Sequence, residues 1–149
     1  MTIRQFVAAT AAALAVLLVS SLDAQSAKTY KARLSAVPVS GFSANVVGSG
    51  SVTATVTGTK LAINGTFDGL ATPATVARLH KSPKPGIRGP ALFDLTVTKA
   101  TGGTITGTFD LTPAQAQEIA QNRYYVQLHS EKAPDGNLWG WLFVQENRR

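Results

Sequence analysis

The sequence has no cysteine, a single methionine, two histidines and only eight acidic residues among 149. Without cysteine no disulfide can close a loop or hold a strand edge, so stability has to come from packing and hydrogen bonding. The same lack removes zinc–thiolate sites, a cysteine nucleophile and a cysteine-linked lipid anchor. No serine stands in a Gly-X-Ser-X-Gly elbow, and no phosphate-binding glycine loop precedes a helix, so two common enzyme signatures are missing. Nothing singles out a pair of carboxylates flanking a cleft, as glycoside cleavage requires.

Charge is scarce and unbalanced. Fourteen Lys and Arg against eight Asp and Glu give a net charge of +6. An uncharged run with an Ala, Leu and Val core, residues 6–22, follows Arg4 and ends among small residues, which is the shape of a secretory signal peptide. Cleavage after Ala24 or Ala27 would leave a single β domain over residues 28–149. The apolar run is shorter than the roughly 20 residues of a bilayer-spanning helix, so the mature chain is expected to be secreted or periplasmic, with no membrane span.

What the mature chain does have is period-two alternation. Residues 30–35 place Tyr30, Ala32 and Leu34 on one side, as a half-buried strand does. Residues 51–57 and 61–67, joined through Gly58, Thr59 and Lys60, read as a hairpin with Val52, Ala54, Val56, Leu61, Ile63 and Phe67 inward. Further strands are expected at residues 75–80, 91–97 and 104–109, with a Pro- and Gly-rich loop from Lys81 to Pro90. One short stretch is helical. Thr112 offers an N-cap, Pro113 a first helical residue and Gln115 the third residue of a capping box, predicting a helix from Pro113 to about Asn122. About eight short strands at this spacing, with one brief helix, predict an antiparallel, Greek-key-like β-sandwich.

The last third carries the most information. Residues 124–129 and 138–144 are β-rich runs on either side of Pro134-Asp135-Gly136-Asn137, which reads as the turn of a hairpin. Alternation then puts Tyr124, Val126, Leu128, Leu138, Leu142 and Val144 on the core face. Tyr125, Gln127, His129, Trp139, Trp141 and Phe143 are left on the other. An aromatic group of that size needs a cover or a partner. The helix offers only Ala116, Ile119 and Ala120 as a thin apolar stripe for that purpose. The expected core also includes Leu79, Phe93, Ile105 and Phe109.

Two groups of polar residues are candidate sites. Arg78, Lys81, Lys84 and Arg88 form a local basic group able to attract an acidic partner, although nucleic-acid binders carry denser basic runs with interleaved aromatics. His80 and His129 end two strands; if those strands are neighbours, the pair offers weak metal ligands. A metal centre wants three or four protein ligands, however, and no acidic residue has ligand-type spacing to either histidine. Hydrogen bonds to adjacent loops are the ordinary role for imidazoles so placed.

Several short motifs resemble the chordin-type (CHRD) domain over essentially the whole mature chain. They are Ala32-Arg33-Leu34-Ser35, Phe67-Asp68-Gly69-Leu70, Ala77-Arg78-Leu79-His80, the run from Gly89 to Leu95, the run from Gly103 to Phe109, Leu111-Thr112, Tyr125 to His129, and Gly136 to Gly140. The resemblance implies an all-β secreted domain. The animal protein that names the family antagonises growth factors related to transforming growth factor β, an activity not carried over here. The family commonly has His-X-His where this chain has Arg78-Leu79-His80, Glu-Val-Pro where it has Ala36-Val37-Pro38, and polar residues at Trp139 and Trp141.

The sequence thus predicts an exported, non-enzymatic binding or structural module with no cofactor. Its partner would be a protein or glycan, acidic ones included, and not nucleic acid. The candidate contacts are Trp139, Trp141, Phe143, Tyr125, Arg78, Lys81, Lys84 and Arg88. The competing expectation is a metal-binding protein or metal-dependent enzyme using His80 and His129.

Overall fold

A computed structural model describes residues 25–41 and 43–146, so the expected signal peptide lies outside the described residues. The elements run β1 Lys28–Ala36, β2 Ser49–Thr57, β3 Lys60–Asp68, β4 Ala74–Lys81, β5 Ala91–Val97, β6 Gly103–Asp110, α1 Pro113–Ile119, β7 Tyr124–Ser130, β8 Ala133–Trp141 and β9 Phe143–Val144. Every strand pairing is antiparallel. The all-β reading with one short helix is therefore correct.

The sandwich is not. Strand order is β2-β3-β6-β5-β4-β7-β8-β1, and β1 also pairs with β2, which closes an eight-stranded barrel. Two strands turn what alternation alone would leave as two sheets into one closed surface. β1 lies along β2 over most of its length, yet its last residues, Ser35 and Ala36, pair with Trp139 and Leu138 of β8. β5 pairs with β4 through most of its length and with β6 only at Thr96 and Val97. Strands that switch partners in this way make the corners of a barrel. β9 continues β8 along β1 in the same register. The order β7-β4-β5-β6 is a Greek key, three hairpin-linked strands with a fourth returning beside the first.

Inward residues fill the barrel. Leu34, Leu61, Leu79, Ile105, Val126, Leu128, Leu138 and Leu142 are each 0% exposed, as expected of a small barrel whose interior is packed rather than open. Val52, Val56, Ile63 and Phe67 are buried with them. Phe93 and Phe109, expected in the core, are only half-buried. They stand where β5 and β6 have separated, and their rings stack at 4.5 Å, closing with side chains a seam that lacks backbone pairing. Val144, also expected inward, is 46% exposed because it lies at the chain's exit from the barrel.

The capping box forms as the sequence predicts. The Thr112 hydroxyl accepts from the Gln115 N–H and the Gln115 side chain accepts from the Thr112 N–H. The helix stops at Ile119, short of Asn122, which takes a left-handed φ of 59° of the kind that ends helices. Ile119 and Leu111 are buried against the core and Ala116 packs beside them. α1 therefore spends Ile119 and Ala116 on the core rather than on the tryptophans, and Ala120, the third residue of the expected stripe, is exposed.

The turn between β7 and β8 is also not where the sequence places it. The chain reverses at Glu131 and Lys132. Leu128 pairs with Leu138 and Ser130 with Ala133, so residues 134–137 bulge out of β8 opposite His129 alone. The Pro-Asp-Gly-Asn signal is real but builds a bulge, with Gly136 at φ 131°.

Candidate functional site

On the outside of the barrel, β4, β7 and β8 lie side by side and their outward residues form rows. His80 pairs with Tyr125, which pairs with Trp141. One step along, Asp94 pairs with Arg78, Arg78 with Gln127, and Gln127 with Trp139. The first row is a stack: His80 lies on Tyr125 at 4.8 Å and Trp141 on its other side at 4.7 Å. Trp139 meets Trp141 edge-on at 4.7 Å and Tyr125 edge-on at 6.1 Å. Offset and edge contacts of this kind are the favoured aromatic geometries. Tyr125 is buried, whereas Trp139 and Trp141 are half-buried. Phe143, expected among them, is 49% exposed on β9 and pairs with Lys31; it belongs to none of these ring contacts.

The cover over this face is the 82–90 loop. Its neck is closed by Lys81 N–H to Pro90 O at 3.1 Å and Ser82 N–H to Arg123 O at 2.6 Å. Buried Ser82 holds the inside of the loop through the carbonyls of Lys84 and Ile87. Gly89 then sits on the aromatic row: its N–H donates to the Tyr125 hydroxyl at 3.1 Å, and its carbonyl accepts from His80 Nδ1 at 2.9 Å. Arg88 reaches over the Trp139 ring at 5.4 Å and donates to the Asp135 carbonyl at 3.1 Å. The bulge supplies the other polar anchors. Gln127 Nε2 donates to the Asp135 carbonyl at 3.0 Å, and His129 Nδ1 donates to the Pro134 carbonyl at 2.8 Å.

The two histidines are thus on neighbouring strands of one face but not together. His80 is opposite Tyr125 and His129 opposite Val76. Four residues at about 3.3 Å each offset their backbones by roughly 13 Å along the sheet, although the His129 ring leans back to within 3.4 Å of Gln127 Nε2. Among the described residues no three His, Asp or Glu side chains converge on a point. His80 Nε2 is buried without a partner, consistent with a neutral ring whose proton sits on Nδ1.

Burial pushes the His80 imidazole below its ordinary value; the Gly89 hydrogen bond opposes this, and His129, Arg78 and Arg88 add to it. The folded state therefore prefers neutral His80, and the unfolded chain takes up the proton more readily. That stabilisation is complete above about pH 6.5 and is lost as pH falls below it. The thermal midpoint should drop between about pH 7 and about pH 5, and His80→Phe, which keeps a stacking ring without the titration, should reduce that drop. An unchanged drop would mean that His80 does not anchor the loop.

The basic group divides. Arg78 pairs with Asp94 at 2.8 Å and Lys81 with Glu118 at 2.7 Å. Lys84 and Arg88 have no carboxylate partner among the described residues. Arg123, not singled out in the sequence, joins them at the loop neck through Nε to the Ser82 carbonyl at 3.1 Å. Its place beside Tyr124 at the start of a strong strand was the only available signal. Lys81 and Tyr124 hold Glu118 as a carboxylate below its ordinary range. Burial and that carboxylate in turn push the Tyr124 phenol up, so it remains a donor.

Comparison with known families agrees with the motifs: the CHRD domain model matches residues 30–142. The chain belongs to the CHRD domain family. No curated protein and no solved structure matches it. The matched span of this CHRD domain runs from the first inward residue of β1 to the last inward leucine before β9, and so includes the whole outer face just described.

Proposed function

We propose that this CHRD domain is an exported, non-enzymatic module that binds a protein or glycan on the outer face of β4, β7 and β8. The observation that carries this reading is the position of Trp139 and Trp141. A closed barrel with a filled interior has no need of aromatics on its outside, and the opposite outer face, on β2, β3 and β6, carries Thr53, Thr55, Asn64, Thr66, Thr104 and Thr106 instead. Tryptophan buries a large area at little rotamer cost and is common at binding hot spots. The polar groups on the face support a binding role over a catalytic one. His80, Gln127 and His129 each spend a side-chain donor on a backbone carbonyl, and the Tyr125 hydroxyl is held by Gly89, which leaves no free nucleophile beside a base. Export is supported by the basic start and short apolar run of residues 1–24.

Trp139 is the better probe residue, because Trp141 stacks on buried Tyr125 and its loss would also cost stability. On a mixed array of immobilised glycans and proteins, the domain should bind one class of partner. Trp139→Ala should weaken that binding about tenfold or more, with the thermal midpoint little changed. Binding that is indifferent to Trp139→Ala would place the interface elsewhere.

A further inference from the structure

We propose that the cleft between the 82–90 loop and Arg123 is an oxyanion site, and that the ligand it selects is an acidic polysaccharide, a glycan carrying carboxylate groups. This rests on the reading of the aromatic face as a binding surface and narrows its partner to one chemistry. The cleft, about 470 Å³, has Pro83 and Pro90 as apolar walls and Lys81, Arg88 and Arg123 as its cations. That volume is in the range of sites for small ligands or single sugar units.

Its charge is not internally balanced. Glu118 answers Lys81, but Arg88 and Arg123 have only backbone carbonyls as hydrogen-bond partners among the described residues, Asp135 for one and Ser82 for the other. A guanidinium has five N–H donors in a planar fork, so each arginine keeps most of its donors for a ligand. Two such forks on one cleft suit a planar carboxylate, which they can hold by paired, charge-assisted hydrogen bonds.

Arg88 links this cleft to the aromatic face. It lines the cleft and also lies over the Trp139 ring. A polymer that alternates apolar sugar faces with carboxylates can therefore rest a ring against the indoles while a neighbouring unit places its carboxylate between Arg88 and Arg123. Duplex nucleic acid calls for an extended basic stripe, whereas Arg78, the next cation along β4 from the cleft, is paired with Asp94. A lipid surface calls for several large apolar side chains, and the loop exposes one, Ile87.

The test uses polygalacturonate and its fully methyl-esterified form, which share one backbone and differ in that each charged carboxylate is replaced by a neutral methyl ester. The full domain should bind the acid polymer at low salt, bind it less well as salt rises, and bind the ester at least tenfold more weakly. Arg88→Gln and Arg123→Gln should each weaken binding about tenfold or more. Arg88→Gln leaves the loop neck untouched, so it remains informative if Arg123→Gln disturbs folding. Equal binding of acid and ester, or arginine variants that bind like the parent, would overturn the site. Tighter binding through the same arginines to phosphatidylglycerol vesicles or to duplex DNA would overturn the choice of a polysaccharide. Trp139-dependent binding to a neutral glycan or a protein, with no response to either arginine, would overturn the oxyanion site while leaving the aromatic binding face standing.

Discussion

Replacing Leu128 with alanine should lower the free energy of unfolding by roughly 2 to 5 kcal/mol. Leu128 is 0% exposed and sits mid-barrel, paired with Ala77 on one side and Leu138 on the other. Its removal leaves a cavity that rigid neighbouring strands cannot close. A domain of this size has only about 5 to 15 kcal/mol in total, and this one has no disulfide to limit the unfolded chain. Denaturant unfolding would show the loss as a lower midpoint at unchanged slope. Phe109→Ala should cost less, because Phe109 is half-buried at the β5–β6 seam. If the two truncations cost the same, the seam is packed as tightly as the centre, contrary to the arrangement described above.

The second large effect concerns closure. Gly140→Ala should destabilise the domain by about 1 to 3 kcal/mol, the usual range for overpacking, although it adds only one methyl group. Gly140 points inward from β8 where β1 crosses it. A Cβ there would run into the Arg33 carbonyl and lie 3.1 Å from a methyl of Leu34. The carbonyl belongs to the backbone of β1, so it can give way only by opening the junction with β8 that seals the barrel. Gly41→Ala is the control for surface glycines, since nothing lies within 4 Å of the added Cβ; any cost there comes from its φ of 80°. A Gly140→Ala protein as stable as the parent would mean that β1 and β8 are not in close contact.

Much of this fold was legible because alternation is a local property. The β2–β3 hairpin, the inward set from Val52 to Phe67 and the capping box at Thr112 all follow from side chains a few residues apart. The inward and outward faces of β7 and β8 were legible for the same reason. Closure was not. Whether two sheets face each other or join depends on β1 and β5 changing partners along their length, and no period in the sequence records which neighbour a strand takes.

The turn was misplaced for a different reason. Glu131 and Lys132 carry no turn signature, while Pro134, Asp135 and Gly136 carry a strong one and use it to bulge a strand. At the outer aromatic face the sequence revealed which side chains point outward but not what covers them. The loop that does so is held by Ser82, Gly89 and Arg123, whose partners lie as far as 41 residues away. The basic group likewise looked continuous in the chain, yet Asp94 and Glu118 neutralise half of it.

The account turns on whether the outer aromatic face is open to a partner while the barrel is intact. Acrylamide quenching of the two tryptophans in the folded monomer tests this most directly. Both indoles are half-buried, with Arg88 over one and Tyr125 against the other, so quenching should fall between that of free indole and that of a core residue. Trp139→Phe should remove a distinct accessible fraction. Two indoles fully protected from acrylamide would contradict the account, because the face would then be a second buried layer sealed by its loop.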